Sequence, residues 1–337
     1  MLKLFQSIFG GNEKHGRYPE SLIEMATERA IDGTYPRLRS VPDYRRRLRE
    51  PVIRAIDHAI DLVDLMPEPL SALSTEYSTD PRLPALFVSP EHLREVFGND
   101  PAINEFRENH PATEGPVTAL LLTERKEKAT LGIALEGEIL RRDVAQVTVS
   151  FSNHRLVDPA VSTDEARRQL KRRAFDHLIS LALWRISEAK IERAELNQQR
   201  DLLRGKLGLL QRSGWSFESQ ADAPVNPNAN GLQSELEEIE AKLAGISVDE
   251  KTLSGQLDIV CAVLSDPQKQ FWAEPVNLAL DRMNVKRDPQ NPDARPISFH
   301  ELHNARGQRL TMLLVSINPG ELPAPQGFFA NASRFLV

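Results

Sequence analysis

Two stretches decide the fold: FDHLISLALWRISEAKIERAELNQQRDLLRGKLGLL (175–210) and LQSELEEIEAKLAGISVDEKTLSGQLDIVCAVL (232–264). In both, apolar side chains recur at alternating spacings of four and three residues, the repeat that keeps one helical stripe facing a partner. Neither stretch contains proline, whereas the segment between them carries Pro224 and Pro227, which do not continue a helix. The sequence therefore predicts two long helices folded into an antiparallel coiled-coil hairpin.

Three charged residues interrupt the apolar stripes: Arg193 and Arg200 in the first stretch and Glu250 in the second. If Leu210 lies opposite Leu232, then Arg193 of the first helix falls beside Asp249 and Glu250 of the second. A polar residue in such a stripe trades stability for specificity of register. We therefore predict that Arg193 and Glu250 form a register-fixing pair.

Strand-like and helical patterns divide the rest of the chain. Residues 18–112 are predicted to be helical, with helices at Ser21–Ile31, from Asp43 to Met66, at Pro90–Phe97 and at Pro101–Asn109; Pro51 marks a break or a fresh start in the second. Strands are predicted at Val117–Thr123, Thr130–Glu136, Val144–Ser152, Val276–Leu280, Ile297–Leu302 and Leu310–Ile317.

These patterns predict an α+β fold with a helical N-terminal region and an antiparallel or mixed sheet of five to six strands. The coiled-coil hairpin is inserted in the sheet sequence. The predicted domains are an amphipathic segment and linker (1–17), the helical region (18–112), the sheet (113–160 plus 270–337) and the hairpin (161–269) with its tip loop (213–230).

Composition limits the classes of function. The 337 residues carry a formal net charge of −6, which gives no overall attraction to nucleic acid or anionic membrane. A single cysteine, Cys261, excludes an internal disulfide or a multi-cysteine zinc site, and predicts a cytoplasmic location. Residues 1–9 form an amphipathic segment, interpreted either as a peripheral membrane contact or as a terminal helix docked on protein.

Candidate catalytic groups are few. His300 and His303 flank Glu301 in a pattern similar to a zinc-protease motif, but they are three residues apart in a predicted strand, which sends them to opposite faces. His154 and Asp158 lie where a strand ends, and Cys261 is interpreted as a buried thiol. We expect no catalytic residue, no metal site and no cofactor from these patterns.

Two basic clusters and one aromatic pair are candidate binding sites. The clusters are Arg45, Arg46, Arg47 and Arg49, and then Arg167, Arg168, Lys171, Arg172 and Arg173. They are interpreted either as phosphate or nucleic-acid contacts, mainly through Arg45, Arg46, Arg47, Arg168 and Arg172, or as partners of nearby carboxylates. Trp215 and Phe217 in the tip loop either anchor a partner protein or close the end of the coiled coil.

The leading hypothesis is a non-enzymatic protein–protein interaction or scaffold protein. Its hairpin would hold a partner protein or a second copy of the chain. The alternatives are a nucleic-acid-binding protein that uses the arginine clusters and an enzyme with an unrecognised site on the sheet.

Overall fold

The structure is a computed structural model that describes residues 16, 18–111, 113, 115–136, 139–213, 227–245 and 253–323. In these ranges the helices are α1 (Glu20–Gly33), α2 (Tyr44–Asp64), α3 (Arg82–Leu86), α4 (Pro90–Gly98), α5 (Pro101–Asn109), α6 (Thr163–Ser213), α7 (Pro227–Gly245), α8 (Leu253–Ser265) and α9 (Pro267–Gln270). The strands are β1 (Leu70–Ser71), β2 (Val117–Glu136), β3 (Ile139–Ala160), β4 (Phe271–Leu280), β5 (Arg295–Asn304) and β6 (Arg309–Ile317).

The predicted fold class is confirmed. The six strands form one sheet, antiparallel except that β1 runs parallel to β6, and the long helix α6 lies between β3 and β4 in the chain. The helices predicted around residues 21, 90 and 101 are present, and Pro51 lies inside α2 rather than dividing it. The side chain of Ser162 caps α6, because its Oγ accepts a hydrogen bond from the Glu165 backbone N–H at 3.2 Å.

The chain divides into two compact units. The described residues of the first, which we call the sheet unit, lie in 56–175 and 267–323. Those of the second, the helical unit, lie in 16–55 and 176–266. The boundaries fall inside α2 and α6, so each of these helices contributes residues to both units.

The sheet of the first unit closes on itself. Its strand order is β3-β2-β6-β5-β4, and the segment after β4 bridges back to β3 through the Thr148–Val285 pair. The bridge is made by two backbone hydrogen bonds of 2.8 Å, from Val149 N–H to Asn284 O and from Lys286 N–H to Val147 O. One face of the sheet thereby encloses an apolar core that continues into α3, α4 and α5 and includes Phe87, Phe97, Phe106, Leu121, Leu313 and Phe299.

The sequence predicted a break between strands at 124–128, and this prediction is wrong. β2 runs without interruption from Val117 to Glu136 and pairs with β3 along its length. Beyond Thr123 β2 no longer pairs with β6, and the side chains of Lys126 and Lys128 are exposed. A charged run does not end a strand whose faces are open to water.

Three bulges shape the long β2–β3 ribbon. Asp143, Asn153 and Asp158 of β3 have φ values of 59°, 55° and 49°. Each coincides with one of the register shifts in the β2–β3 pairing. Asp and Asn tolerate this left-handed backbone better than most residues, and a bulge bends and twists the strand that carries it.

The helical unit contains the contact between α6 and α7. Leu203 and Leu207 of α6 pack with Leu236 and Ile239 of α7, and Leu196, Leu232 and Leu243 border this cluster. An ion pair of 2.6 Å between Arg204 Nη2 and Glu240 Oε1 lies beside it. All seven of the apolar residues belong to the predicted stripes.

Candidate functional site

The long helix α6 exposes two large apolar side chains. Ile191 and Leu202 are 59% and 60% exposed. At about 100° and 1.5 Å per residue, they lie within about 20° of each other around the helix axis and roughly 16 Å apart along it. Leu203 and Leu207, which pack on α7, are about 100° or more around the helix from both. We call Ile191 and Leu202 the α6 apolar line.

Polar side chains lie between the two residues of this line. Glu195 and Gln198 occupy the same side of α6 by helical spacing, and both are exposed. Leu183 is also exposed, at 39%, but lies about 80° or more around the helix from Ile191 and Leu202. The line therefore consists of two separate apolar side chains with polar side chains between them, on a side of α6 that does not pack on α7.

Of the predicted register pair, Arg193 lies among the described residues and Glu250 does not. Arg193 is half-buried, and its backbone carbonyl accepts a hydrogen bond of 2.8 Å from Asn197 Nδ2. Glu250 lies outside the described residues, as do Trp215 and Phe217 of the predicted tip and the N-terminal residues 1–9. These interpretations stay predictions.

The first arginine cluster, in the helical unit, pairs with carboxylates. Arg45 pairs with Glu28 at 2.9 Å, Arg46 with Asp43 at 3.4 Å, and Arg49 with Glu20 at 2.9 Å. Arg47 reaches from α2 to α8, where it pairs with Asp258 and donates a hydrogen bond of 3.0 Å to Ser254 Oγ. Arg47 therefore joins two helices of its own unit.

The second arginine cluster, at the start of α6 in the sheet unit, also has local partners. Arg167 donates hydrogen bonds of 3.0 Å to the carbonyls of Val63 and Met66, at the carboxyl end of α2. Terminal carbonyls of a helix have no partner within the helix, so Arg167 caps α2. Arg168 and Arg172 both pair with Glu165, at 2.8 and 3.7 Å. Lys171 pairs with Asp64 at 2.7 Å, and Arg173 pairs with Asp158 at 2.6 Å.

Charged side chains on β2 and β5 form a largely buried network next to the core. Arg125 Nε donates a hydrogen bond of 2.5 Å to Glu301 Oε1, and the Arg125 guanidinium also pairs with Glu127. Lys286 Nζ lies 2.7 Å from Glu127 Oε2. The Arg125 and Glu301 side chains are only 13% and 5% exposed. Sequence reasoning missed this network, because Arg125 and Glu127 lay in a segment predicted to be a connection.

The charged side chains of this network are paired with one another. Hydrogen bonding to Glu301 raises the pKa of Arg125, and the hydrogen bond from Lys286 lowers the pKa of Glu127, so the charged forms of Arg125 and Glu127 are favoured. His303 stacks on Trp272 with ring centroids 5.5 Å apart, and its Nε2 is 3.9 Å from Glu301 Oε2, too far for a hydrogen bond. In this structure Glu301 is the partner of Arg125.

The remaining candidate catalytic residues have separate structural partners. His154 Nε2 lies 2.9 Å from the Leu86 carbonyl, and its ring stacks on Phe87 with centroids 4.8 Å apart. Asp158 instead pairs with Arg173. Burial raises the pKa of the Cys261 thiol to about 11, which disfavours the thiolate that a nucleophile needs.

The described residues contain neither a metal-binding cluster nor a membrane-spanning helix. Within the described ranges, no three His, Cys, Asp or Glu side chains are grouped as a metal ion would require. No helix in the part of the chain that the structure describes has the length and apolar character of a membrane span. The chain matches no protein-family model, no curated protein and no solved structure.

Proposed function

We propose that this chain is a non-enzymatic interaction or scaffold protein that holds another protein on its helical insertion. The observation that carries the proposal is the α6 apolar line. Ile191 and Leu202 are more than half exposed on one side of a helix whose other side already packs on α7. Burying such side chains contributes about 1.5 to 3 kcal/mol each, and an interface recovers that free energy when a partner covers them.

The proposal includes an antiparallel coiled coil between α6 and α7. Its support is that the cluster of Leu203, Leu207, Leu236 and Ile239 follows the predicted spacing, with Arg204 and Glu240 pairing beside it. A rigid pair of helices would present the α6 apolar line without a conformational cost on binding. The single cysteine and its half-buried thiol support a cytoplasmic location.

The nucleic-acid alternative has less support. The arginines of both clusters that were its candidate contacts lie beside carboxylates, which lowers the local positive potential that phosphate binding requires. The enzyme alternative has less support because the sheet residues named for it are held by structural partners.

The test is affinity capture from native lysate with the intact chain as bait. The bait is compared with the double variant Ile191→Glu/Leu202→Glu and with Leu183→Glu, a control that places one glutamate at an exposed leucine of α6 off the line. Exposed substitutions change stability by roughly 0.5 kcal/mol or less, so all three baits are expected to fold, as circular dichroism would verify.

We expect the eluates to contain a protein that binds to the intact chain and to Leu183→Glu but not to the double variant. Identical eluates from all three baits would contradict the proposal. Nucleic acid in every eluate would instead favour the arginine clusters. A fourth bait, Trp215→Ala/Phe217→Ala, tests the predicted tip separately from the α6 apolar line.

A further inference from the structure

Two histidine side chains hold the backbone of the segment that joins α3 to α4. Nε2 of His154, on β3, lies 2.9 Å from the Leu86 carbonyl oxygen, which is an acceptor, so this nitrogen carries the hydrogen. The Val88 N–H donates a hydrogen bond of 3.3 Å to Nδ1 of His92, on α4, so this nitrogen carries none. The centroids of the two rings are 6.3 Å apart. We call residues 86–88 the clamped segment.

The clamped segment places a buried aromatic ring next to an exposed side chain. Phe87 is only 1% exposed, and its ring stacks on the ring of His154 with centroids 4.8 Å apart. Val88, the next residue, is 89% exposed. The Tyr77 hydroxyl donates a hydrogen bond of 2.6 Å to the Phe87 carbonyl. The two histidines therefore hold the backbone on both sides of Phe87, and Tyr77 holds it between them.

Protonation weakens the hold of both histidines. A proton on His92 occupies Nδ1, the atom that accepts the hydrogen bond from Val88, so that hydrogen bond is lost. A proton on His154 places a charge in a partly buried ring, and burial lowers the pKa of this ring. When both rings are protonated, two positive charges lie 6.3 Å apart and repel each other.

We propose that the clamped segment is a pH-sensitive switch, which is closed at neutral pH and opens as His92 and His154 take up protons. Opening uncovers Phe87 beside Val88, so acid turns a buried ring into part of an exposed apolar surface while the strands of the core stay paired. A closed form that binds fewer protons than the open form loses population as the pH falls. The limit is about ten-fold per pH unit for each proton.

Three other titratable groups lie near the two rings: Tyr77, Glu91 and Asp100. Burial raises the pKa of Tyr77, and hydrogen bonds from its own backbone N–H and from Ser89 lower the pKa of Glu91. Asp100 Oδ2 accepts a hydrogen bond of 2.7 Å from the Leu156 N–H of β3. Histidine is the side chain that ordinarily titrates between about pH 5 and 8, so the change of charge around the clamped segment comes from its two histidines.

The test is amide hydrogen exchange of the full chain, followed by NMR at the Val88 N–H at about pH 7.5 and about pH 5.5. Each measured rate is divided by the intrinsic exchange rate at the same pH, which gives the protection of the closed form. The amides of β6, a strand that pairs with both β2 and β5, report unfolding of the whole sheet.

Two variants assign the effect to these histidines. His92→Asn/His154→Gln removes both titratable rings but keeps an acceptor for Val88 and a donor for Leu86, because an amide side chain carries both kinds of group. His110→Gln is the matched control. His110 also stacks on a phenylalanine, Phe106, with centroids 4.5 Å apart, and its Nδ1 lies 3.2 Å from the Phe106 carbonyl oxygen.

We expect the protection of Val88 to fall several-fold more than that of the β6 amides at the lower pH, in the intact chain and in His110→Gln. In the double variant we expect no such difference. Protection of Val88 that does not change, or that falls only in parallel with β6, would overturn the switch. The same local loss in the double variant would overturn the role of the histidines.

If circular dichroism shows that the double variant is unfolded, NMR titration of the intact chain decides instead. We expect the protection of Val88 to fall over the pH range in which the His92 and His154 rings titrate. A loss of protection outside that range would overturn the proposal.

Discussion

Gly33 sets how closely the end of α1 approaches α6. A Cβ atom at this position would lie 2.6 Å from Ile179 Cγ2. We expect Gly33→Ala to lower the free energy of unfolding by about 1 to 3 kcal/mol, because an overpacked contact forces its neighbours to shift. Urea unfolding measures the change.

Two controls separate this clash from a general effect of adding a methyl group. A Cβ atom at Gly205 in α6 would have no neighbour within 4 Å. We therefore expect Gly205→Ala to stabilise the chain by roughly 0.5 to 1 kcal/mol through helix propensity. Ile179→Leu removes the Cγ2 atom and should partly rescue Gly33→Ala in a double-mutant cycle. Additive effects of the two substitutions would contradict the contact.

At His154, packing makes stability depend on pH. Burial lowers the pKa of His154 below its usual value of 6.5, and nearby His92 lowers it further. The unfolded chain therefore binds a proton at a higher pH than the folded chain, so stability rises with pH in that range. We expect stability to fall as pH decreases through 6.5 toward the lowered pKa, and to fall less in His154→Phe; NMR titration of the His154 ring gives the pKa. A ring that titrates above 6.5 would contradict this account.

Among the elements, β2 and β5 are joined by the buried Arg125–Glu301 pair. Glu301→Gln leaves the Arg125 charge poorly compensated in a buried position, and breaking such a pair costs about 3 kcal/mol. The matched control is Glu124→Gln, which removes an exposed pair of the same ribbon, with Lys126 at 3.4 Å, and should cost much less because water screens exposed charges. Chemical unfolding of both variants would show the difference, and equal losses would contradict the structural role of Arg125.

The sequence predicted elements best where one residue pattern decides them. The four–three spacing between residues 175 and 210 predicted α6, and Pro90 and Pro101 marked the starts of α4 and α5. Prediction from the sequence failed where the structure of a segment depends on residues far away in the chain. The charged run at 124–128 is part of β2 because β3 pairs with it, a fact that no local pattern contains.

For the whole molecule, topology was only partly predictable. The order of elements along the chain predicted an α+β fold with a helical insertion, and that prediction is confirmed. Closure of the sheet depends on one bridge between Thr148 and Val285, which are far apart in sequence. The apolar line on α6 was likewise missed, because Ile191 and Leu202 lie outside the four–three stripe and stand out only once solvent exposure is known.

For the molecule as a whole, the proposed function depends on the α6 apolar line as a contact surface for another protein. Affinity capture from native lysate with the intact chain, Ile191→Glu/Leu202→Glu and Leu183→Glu as baits measures this dependence. We predict a protein that the intact chain and Leu183→Glu retain and that the double variant loses. A protein captured equally by all three baits would contradict the proposed function.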